Sequence, residues 1–268
     1  MIDKAVVCGA FSKAASSYDA IALFQRQVNE RMLCLLPERL PTGFHPDHIL
    51  DAGCGTGLGI QCLKTFWPDA DIIGCDISPA MVETTRRKQF KAVVGDIENL
   101  PFDEAAFNLV WSSLSLQWCS AELAFRELHR VTAPDGMVFF STLAPGTLKE
   151  IAVAFSGLDN ADHTLDFSTK NELEALLAKT GFKDILLQQE TLQVFYPDIR
   201  SVMASIRGIG AGNVRKRRNA LLGKNAWQTI QERYESFREE AGLPVTYEVV
   251  IGSASRWHAQ RAATAALP

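Results

Sequence analysis

The stretch Ile49-Leu50-Asp51-Ala52-Gly53-Cys54-Gly55-Thr56-Gly57 limits the fold of this chain more than any other. It reads as an apolar strand running into a glycine-rich turn that opens a helix. Glycines at alternate positions let the main chain bend tightly and let a ligand approach to contact distance, and the helix that follows offers unpaired N–H groups. A strand that passes straight into a helix in this way is half of a crossover unit, and crossover units build parallel sheets. Asp51 stands two residues before Gly53 and no Lys-Ser/Thr pair follows, so the phosphate loop of nucleotide hydrolases is not matched. The spacing of the glycines also departs from the dinucleotide fingerprint.

The pattern on either side agrees with that unit. Short apolar runs at 48–52, 71–76, 91–95, 107–111 and 137–141 predict strands, with helices predicted over 59–67, 79–89 and 120–129. The implied class is α/β, a doubly wound and mostly parallel sheet covered on both faces. Upstream, 17–36 has the apolar spacing of an amphipathic helix, within an N-terminal helical segment at 9–37 that Pro37 and Pro41-Thr42-Gly43 should end. Downstream, helices are expected over 147–156 and 169–179, and strands over 183–195 and 245–253. Between those strands lies a helical insertion at 198–241, broken at Gly208-Ile209-Gly210-Ala211-Gly212 and placed where a substrate lid would sit. We expect one domain over 1–257, with its cofactor-binding core at 45–145, and a frayed Ala-rich tail at 258–268.

Two further acids fall at strand ends. Asp76, 23 residues after Gly53, is placed to accept both hydroxyls of a ribose, which suits NAD and S-adenosylmethionine equally. Asp96 closes the third strand and can accept from the exocyclic amine of adenine while Ile97 packs on the ring.

Composition removes several other classes. No apolar run approaches the roughly 20 residues of a membrane span, and the start lacks the layout of a signal peptide, so a cytoplasmic protein is expected. The six cysteines form no CxxC pair and the five histidines no HExxH cluster, so we expect reduced thiols and no metal. With 27 basic against 31 acidic side chains, total charge does not favour nucleic acid.

Through Leu-Asp-Ala-Gly-Cys-Gly-Thr-Gly, Cys-Asp-Ile-Ser-Pro-Ala-Met, Gly-Asp-Ile-Glu-Asn-Leu-Pro-Phe and Glu-Leu-His-Arg-Val-Thr-Ala-Pro-Asp-Gly, residues 45–145 resemble the class I S-adenosylmethionine-dependent methyltransferases. The resemblance implies a seven-stranded sheet whose last strand is antiparallel. It assigns Asp51, Gly53 and Gly55 to the methionine end of the cofactor, Asp76 to its ribose, and Asp96 with Ile97 to its adenine, with Ile77 and Met81 beside them. A narrower similarity covers the chain to about Arg256. It is carried by Ala10-Phe11-Ser12-Lys13-Ala14-Ala15, Tyr18-Asp19, Gln25-Arg26-Gln27, Leu116-Gln117-Trp118-Cys119, Ile206-Arg207-Gly208-Ile209-Gly210-Ala211 and Leu243-Pro244-Val245-Thr246-Tyr247-Glu248. These match the malonyl-[acyl-carrier protein] O-methyltransferases of biotin synthesis. One departure is Pro134-Asp135-Gly136, where the wider fold often has two glycines.

The similarity implies transfer of a methyl group to the free carboxylate of a malonyl thioester, which is already ionised at pH 7 and needs no general base. A buried anion needs partners. Arg207 is the expected cation and Tyr18 the expected hydroxyl, with Gln117 and Trp118 on the substrate side. The six cations from Arg207 to Lys224 (with Arg215, Lys216, Arg217 and Arg218 between), uninterrupted by acid, could dock an acidic acyl carrier protein; Arg86, Arg87, Lys88 and Lys91 form a second patch. A monomer is expected. The rival expectations are a methyltransferase for another small acid, a non-catalytic cofactor-binding subunit, and a dinucleotide-dependent oxidoreductase.

Overall fold

Neighbouring residues of a strand face opposite sides, and Ile49 and Leu50 are both fully buried. A strand with no wet face lies inside a sheet covered on both sides. The computed structural model, which describes residues 3–158, 165–208 and 223–256, contains that sheet. Its strands are β1 (His48–Ala52), β2 (Asp71–Asp76), β3 (Lys91–Val94), β4 (Phe107–Ser113), β5 (Thr132–Leu143), β6 (Lys183–Tyr196) and β7 (Leu243–Ser255). Their spatial order is β3-β2-β1-β4-β5-β7-β6. β1 to β5 pair in parallel, and β7 is antiparallel to both β5 and β6. The seven-stranded, doubly wound sheet with an antiparallel last strand is therefore present.

The helices are α1 (Lys4–Ala14), α2 (Tyr18–Ile21), α3 (Leu23–Arg39), α4 (Leu58–Phe66), α5 (Pro79–Arg87), α6 (Ala121–Val131), α7 (Lys149–Phe155), α8 (Lys170–Thr180), α9 (Ile199–Gly208) and α10 (Lys224–Glu235). On one face of the sheet Ile49, Leu109, Trp111 and Phe139 pack with Val28, Met32 and Leu36 of α3 and Leu63 of α4. On the other, Leu50, Val110, Val138 and Phe140 pack with Phe125 and Leu128 of α6 and Leu177 of α8. The buried positions of α6 (Ala124, Phe125, Leu128, Val131) follow the spacing of one helical face. Trp111 donates its indole N–H to Asn29 Oδ1 (3.2 Å), which ties α3 to the centre of the sheet.

Four expectations need correction. The single helix over 17–36 is two, α2 and α3, because Ala22 leaves the helical region with ψ of 36°. The N-terminal segment begins at α1, ahead of residue 9; α1 buries only Val7 and Ala14, too little for apolar periodicity to reveal it. Pro37 does not end α3, which runs to Arg39. A proline removes its own N–H and crowds the carbonyl four residues back, but it leaves later helical bonds intact, and Leu40 N–H still reaches the Leu36 carbonyl. β5 starts five residues earlier than expected, taking in Pro134-Asp135-Gly136. A side chain at Gly136 would come within 2.8 Å of the Asn108 carbonyl, so the one glycine kept there is the one the packing requires. Of the insertion at 198–241, residues 209–222 lie outside the described residues, as does the tail at 258–268.

Candidate active site

From β1 the chain moves outward to β2 and β3, then returns to the other side of β1 as β4. This reversal leaves a crevice beyond the carboxyl ends of the strands, where doubly wound sheets bind ligands. A cleft of about 700 Å³, counted to its open mouth, lies there. Gly53 and Gly55 line it from the end of β1, Asp76, Ile77 and Met81 from β2 and α5, and Asp96 with Ile97 from the end of β3. Tyr18 and Trp118 close it from the N-terminal side and from beyond β4.

The turn after β1 has reasons for its glycines. Gly53 has φ of +80°, and a Cβ on it would sit 1.9 Å from Ser115 Oγ. Gly55 has φ of +53° and nothing within 4 Å of where a Cβ would be, so it presents bare main chain to the cleft. The N–H groups of Gly53 and Cys54 both reach the Cys75 carbonyl (2.7 and 3.1 Å), which fixes the turn to β2. Asp76 is held by main chain as well. Its Oδ2 accepts from Gly55 N–H (2.9 Å) and its Oδ1 from Ser78 N–H (2.8 Å). Each oxygen keeps a free lone pair, the arrangement needed for two vicinal hydroxyls. Burial raises the Asp76 pKa and these two hydrogen bonds oppose it.

Asp51 lies behind the turn, outside the main cleft, in an adjoining pocket of about 360 Å³ that shares Tyr18, Gly53 and Gly55 with it. The residue is 2% exposed and Oδ2 has no hydrogen-bond partner. Burial, and then the charge of Asp76, push its pKa up to about 7, with a main-chain hydrogen bond acting the other way. Gly59 leaves room for it, since a Cβ there would come 2.5 Å from Oδ2. Burial pushes the Tyr18 hydroxyl well up, so it stays protonated and can donate.

Other residues of the cleft escaped the sequence reading. Lys4 of α1 pairs with Asp96 and with Glu98 (2.7 Å to the latter), and Lys4, Val7 and Phe11 form the inner face of α1 over the cleft. Phe11 meets Trp118 edge-on (5.5 Å between centroids) and Tyr18 at 6.4 Å. The spacing of Lys4, Val7 and Phe11, three and then four residues apart, is the one signal that could have marked this face. Ser115 was missed too; its Oγ reaches the Ser113 carbonyl (3.2 Å) and those of Ala52 and Gly53 (3.4 Å each), locking the ends of β1 and β4 together. Leu114 beside it has φ of +52°, a strained conformation for leucine that costs about 1–3 kcal/mol and sits on the cleft wall.

Gln117 does not line the cleft. Its Nε2 donates to the Leu114 carbonyl (2.7 Å) and its Oε1 accepts from Thr142 (3.4 Å), so it braces the turn after β4. Arg207 belongs to the last turn of α9, and its side chain lies outside the described residues, as do Arg215, Lys216, Arg217, Arg218 and the side chain of Lys224. The second basic patch is largely neutralised internally: Arg87 pairs with Glu83, Lys88 with Asp19 and Lys91 with Asp71, while Arg86 donates to the Ala92 carbonyl. Among the described residues no group of three or more His, Cys, Asp or Glu side chains is placed to hold a metal, and no helix is long and apolar enough to cross a membrane.

The methyltransferase-domain family model matches residues 50–140, the segment that builds the glycine turn and all three acids. Of solved structures, a SAM-dependent methyltransferase of Thermotoga maritima superposes with a TM-score of 0.55 at 17% identity, covering 93% of this chain and 99% of its own, which supports the fold. The malonyl-[acyl-carrier protein] O-methyltransferase of Herminiimonas arsenicoxydans is 42% identical over 97% of this chain and 98% of its own length. That of Gallionella capsiferriformans is 40% identical over 95% and 91%. Similarity of this degree, running from α1 through the glycine turn to β7, places the chain in the malonyl-[acyl-carrier protein] O-methyltransferase family.

Proposed function

We propose that this protein transfers a methyl group from S-adenosylmethionine to the free carboxylate of a malonyl group carried on an acyl carrier protein, giving the methyl ester that enters elongation toward biotin. The observation that carries the reading is the set of three acids at successive strand ends around a bare glycine turn, within a chain whose relatives of this name match it nearly end to end. The residues present fit the cofactor. Asp76 keeps one free lone pair on each oxygen for the ribose, Asp51 Oδ2 is a buried acceptor with no donor, and Gly55 leaves open space where a side chain would stand. Asp96 and Ile97 would hold the adenine, with Ile77 and Met81 lining the adenosine end.

When bound, S-adenosylmethionine supplies a sulfonium methyl that passes to a carboxylate oxygen and leaves S-adenosylhomocysteine. The protein's own part is alignment and exclusion of water. Phe11, Tyr18 and Trp118 form an apolar wall around the place where the acceptor enters, and the protonated Tyr18 hydroxyl can donate to the malonyl carboxylate without taking its charge. Arg207 is the proposed cation for that carboxylate, and the basic run to Lys224 the proposed contact for the carrier protein. Gln117 acts one step back, by fixing the turn that carries Trp118.

Intact mass of malonyl-loaded acyl carrier protein, after incubation with the protein and S-adenosylmethionine, tests the reading. A gain of one methyl on the malonyl form and none on an acetyl-loaded control supports it. Methylation of free small acids with none on the carrier would favour a different acceptor on the same fold.

A further inference from the structure

Two acceptor atoms in the pocket behind the glycine turn have no donor. Asp51 Oδ2 and Gln25 Oε1 are both buried without a hydrogen-bond partner, their residues are 2% and 8% exposed, and both line the same small pocket as Tyr18. A buried acceptor left unpaired costs about 1–3 kcal/mol, so two in one cavity call for a group that fills it. The neighbouring side chain is already committed. Asn29, one turn after Gln25 on α3, accepts from the Trp111 indole through Oδ1 (3.2 Å) and donates through Nδ2 to the Gln25 main-chain carbonyl (2.9 Å). The Gln25 amide also hydrogen-bonds the Tyr18 hydroxyl. The missing partner must bring at least two N–H or O–H donors. A water would do that, but it would bring no positive charge to the Asp51 carboxylate, which already feels the charge of Asp76; an ammonium satisfies both acceptors and the charge.

We propose that Gln25 Oε1 and Asp51 Oδ2 together bind the α-ammonium group of the cofactor's amino-acid end, which makes Gln25 a cofactor-binding residue supplied by the N-terminal segment instead of the sheet. This rests on the cofactor reading above. The family resemblance implies a methionine-end role for Asp51, whereas the role of Gln25 follows from the two orphaned oxygens. Because the same amide holds Tyr18, filling the pocket also fixes the hydroxyl that faces the acceptor.

The test is a pair of ligands measured by titration calorimetry on the full-length protein: S-adenosylhomocysteine, and 5′-methylthioadenosine, which lacks the amino-acid end. In Gln25→Met the affinity for S-adenosylhomocysteine should fall about tenfold, the usual consequence of losing one hydrogen bond to a charged group, while that for methylthioadenosine stays within about twofold. Unchanged affinity for both ligands would overturn the proposal. Equal loss of both would make it structural. Gln25→Glu keeps an oxygen at the same place and should bind S-adenosylhomocysteine at least as tightly as the native protein; a loss as large as in Gln25→Met overturns the proposal, and this variant decides if Gln25→Met does not fold. Failure of the unsubstituted protein to bind either nucleoside would strike instead at the cofactor reading.

Discussion

Asp51 shows how one side chain couples burial to ligand choice. Its pKa stands near 7, raised first by burial and then by Asp76, against about 3.9 for an aspartate in an unfolded chain. Between those values the folded state holds a proton that the unfolded state has released, so this group's contribution to stability falls as pH rises from about 4 to about 7 and is level beyond. A cationic ligand reverses the preference. S-adenosylhomocysteine should therefore bind more tightly as pH rises from 6 to 8, with release of up to about one proton at the lower end. Calorimetry in two buffers of different ionisation enthalpy reads that proton directly. In Asp51→Asn the proton release should vanish and affinity at pH 8 should fall at least about tenfold; an unchanged pH profile would assign the titration to another group. Asp51, Asp76 and Asp96 were legible in the sequence because main-chain geometry places each at a strand end. Lys4 was not, because its partner Asp96 is 92 residues away and nothing local announces the pairing.

The least legible element is α1, for a physical reason: it buries little apolar surface and is fastened by polar contacts instead. Besides the Lys4 pairs, Ser12 Oγ meets Ser78 Oγ (2.8 Å) and Cys8 Sγ reaches the Ile77 carbonyl (3.4 Å), while Asp19 of α2 holds Thr56 (2.5 Å) and Lys88 (2.6 Å). The strands and α4 to α6, by contrast, follow apolar periodicity and fall within a few residues of where the sequence puts them, except at the start of β5. A helix secured by side chains at its edge should open more easily than one secured by a core. The Lys4 cluster is partly exposed, so its worth is on the order of 1 kcal/mol. Lys4→Met should accordingly speed dissociation of S-adenosylhomocysteine about fivefold and raise hydrogen exchange in α1, with exchange in β1 and β4 unchanged. Equal acceleration throughout the sheet would mean that the substitution destabilises the whole fold and that α1 is no separate unit.

The alternation of strands and helices is enough to set the class of fold, but a doubly wound sheet binds many nucleotides. What narrows the ligand is a combination of three acids: Asp76 and Asp96 on the main cleft, the acceptors proposed for the ribose and the adenine, and, in the adjoining pocket where a dinucleotide would need room for a pyrophosphate, the buried carboxylate of Asp51. Asp51 would repel a phosphate and attract an ammonium. S-adenosylhomocysteine should therefore stabilise the whole molecule, and NAD should not. At a free concentration 100 times its dissociation constant, a ligand that binds only the folded state adds about 2.7 kcal/mol. For a chain of this length each kcal/mol moves the melting temperature by about 2–4 °C, so the expected rise is about 5–10 °C. A thermal melt with each nucleotide at the same concentration measures it. A rise with NAD of the size seen with S-adenosylhomocysteine would show that the Asp51 carboxylate does not exclude a phosphate, and the electrostatic basis for choosing between the two ligands would fall.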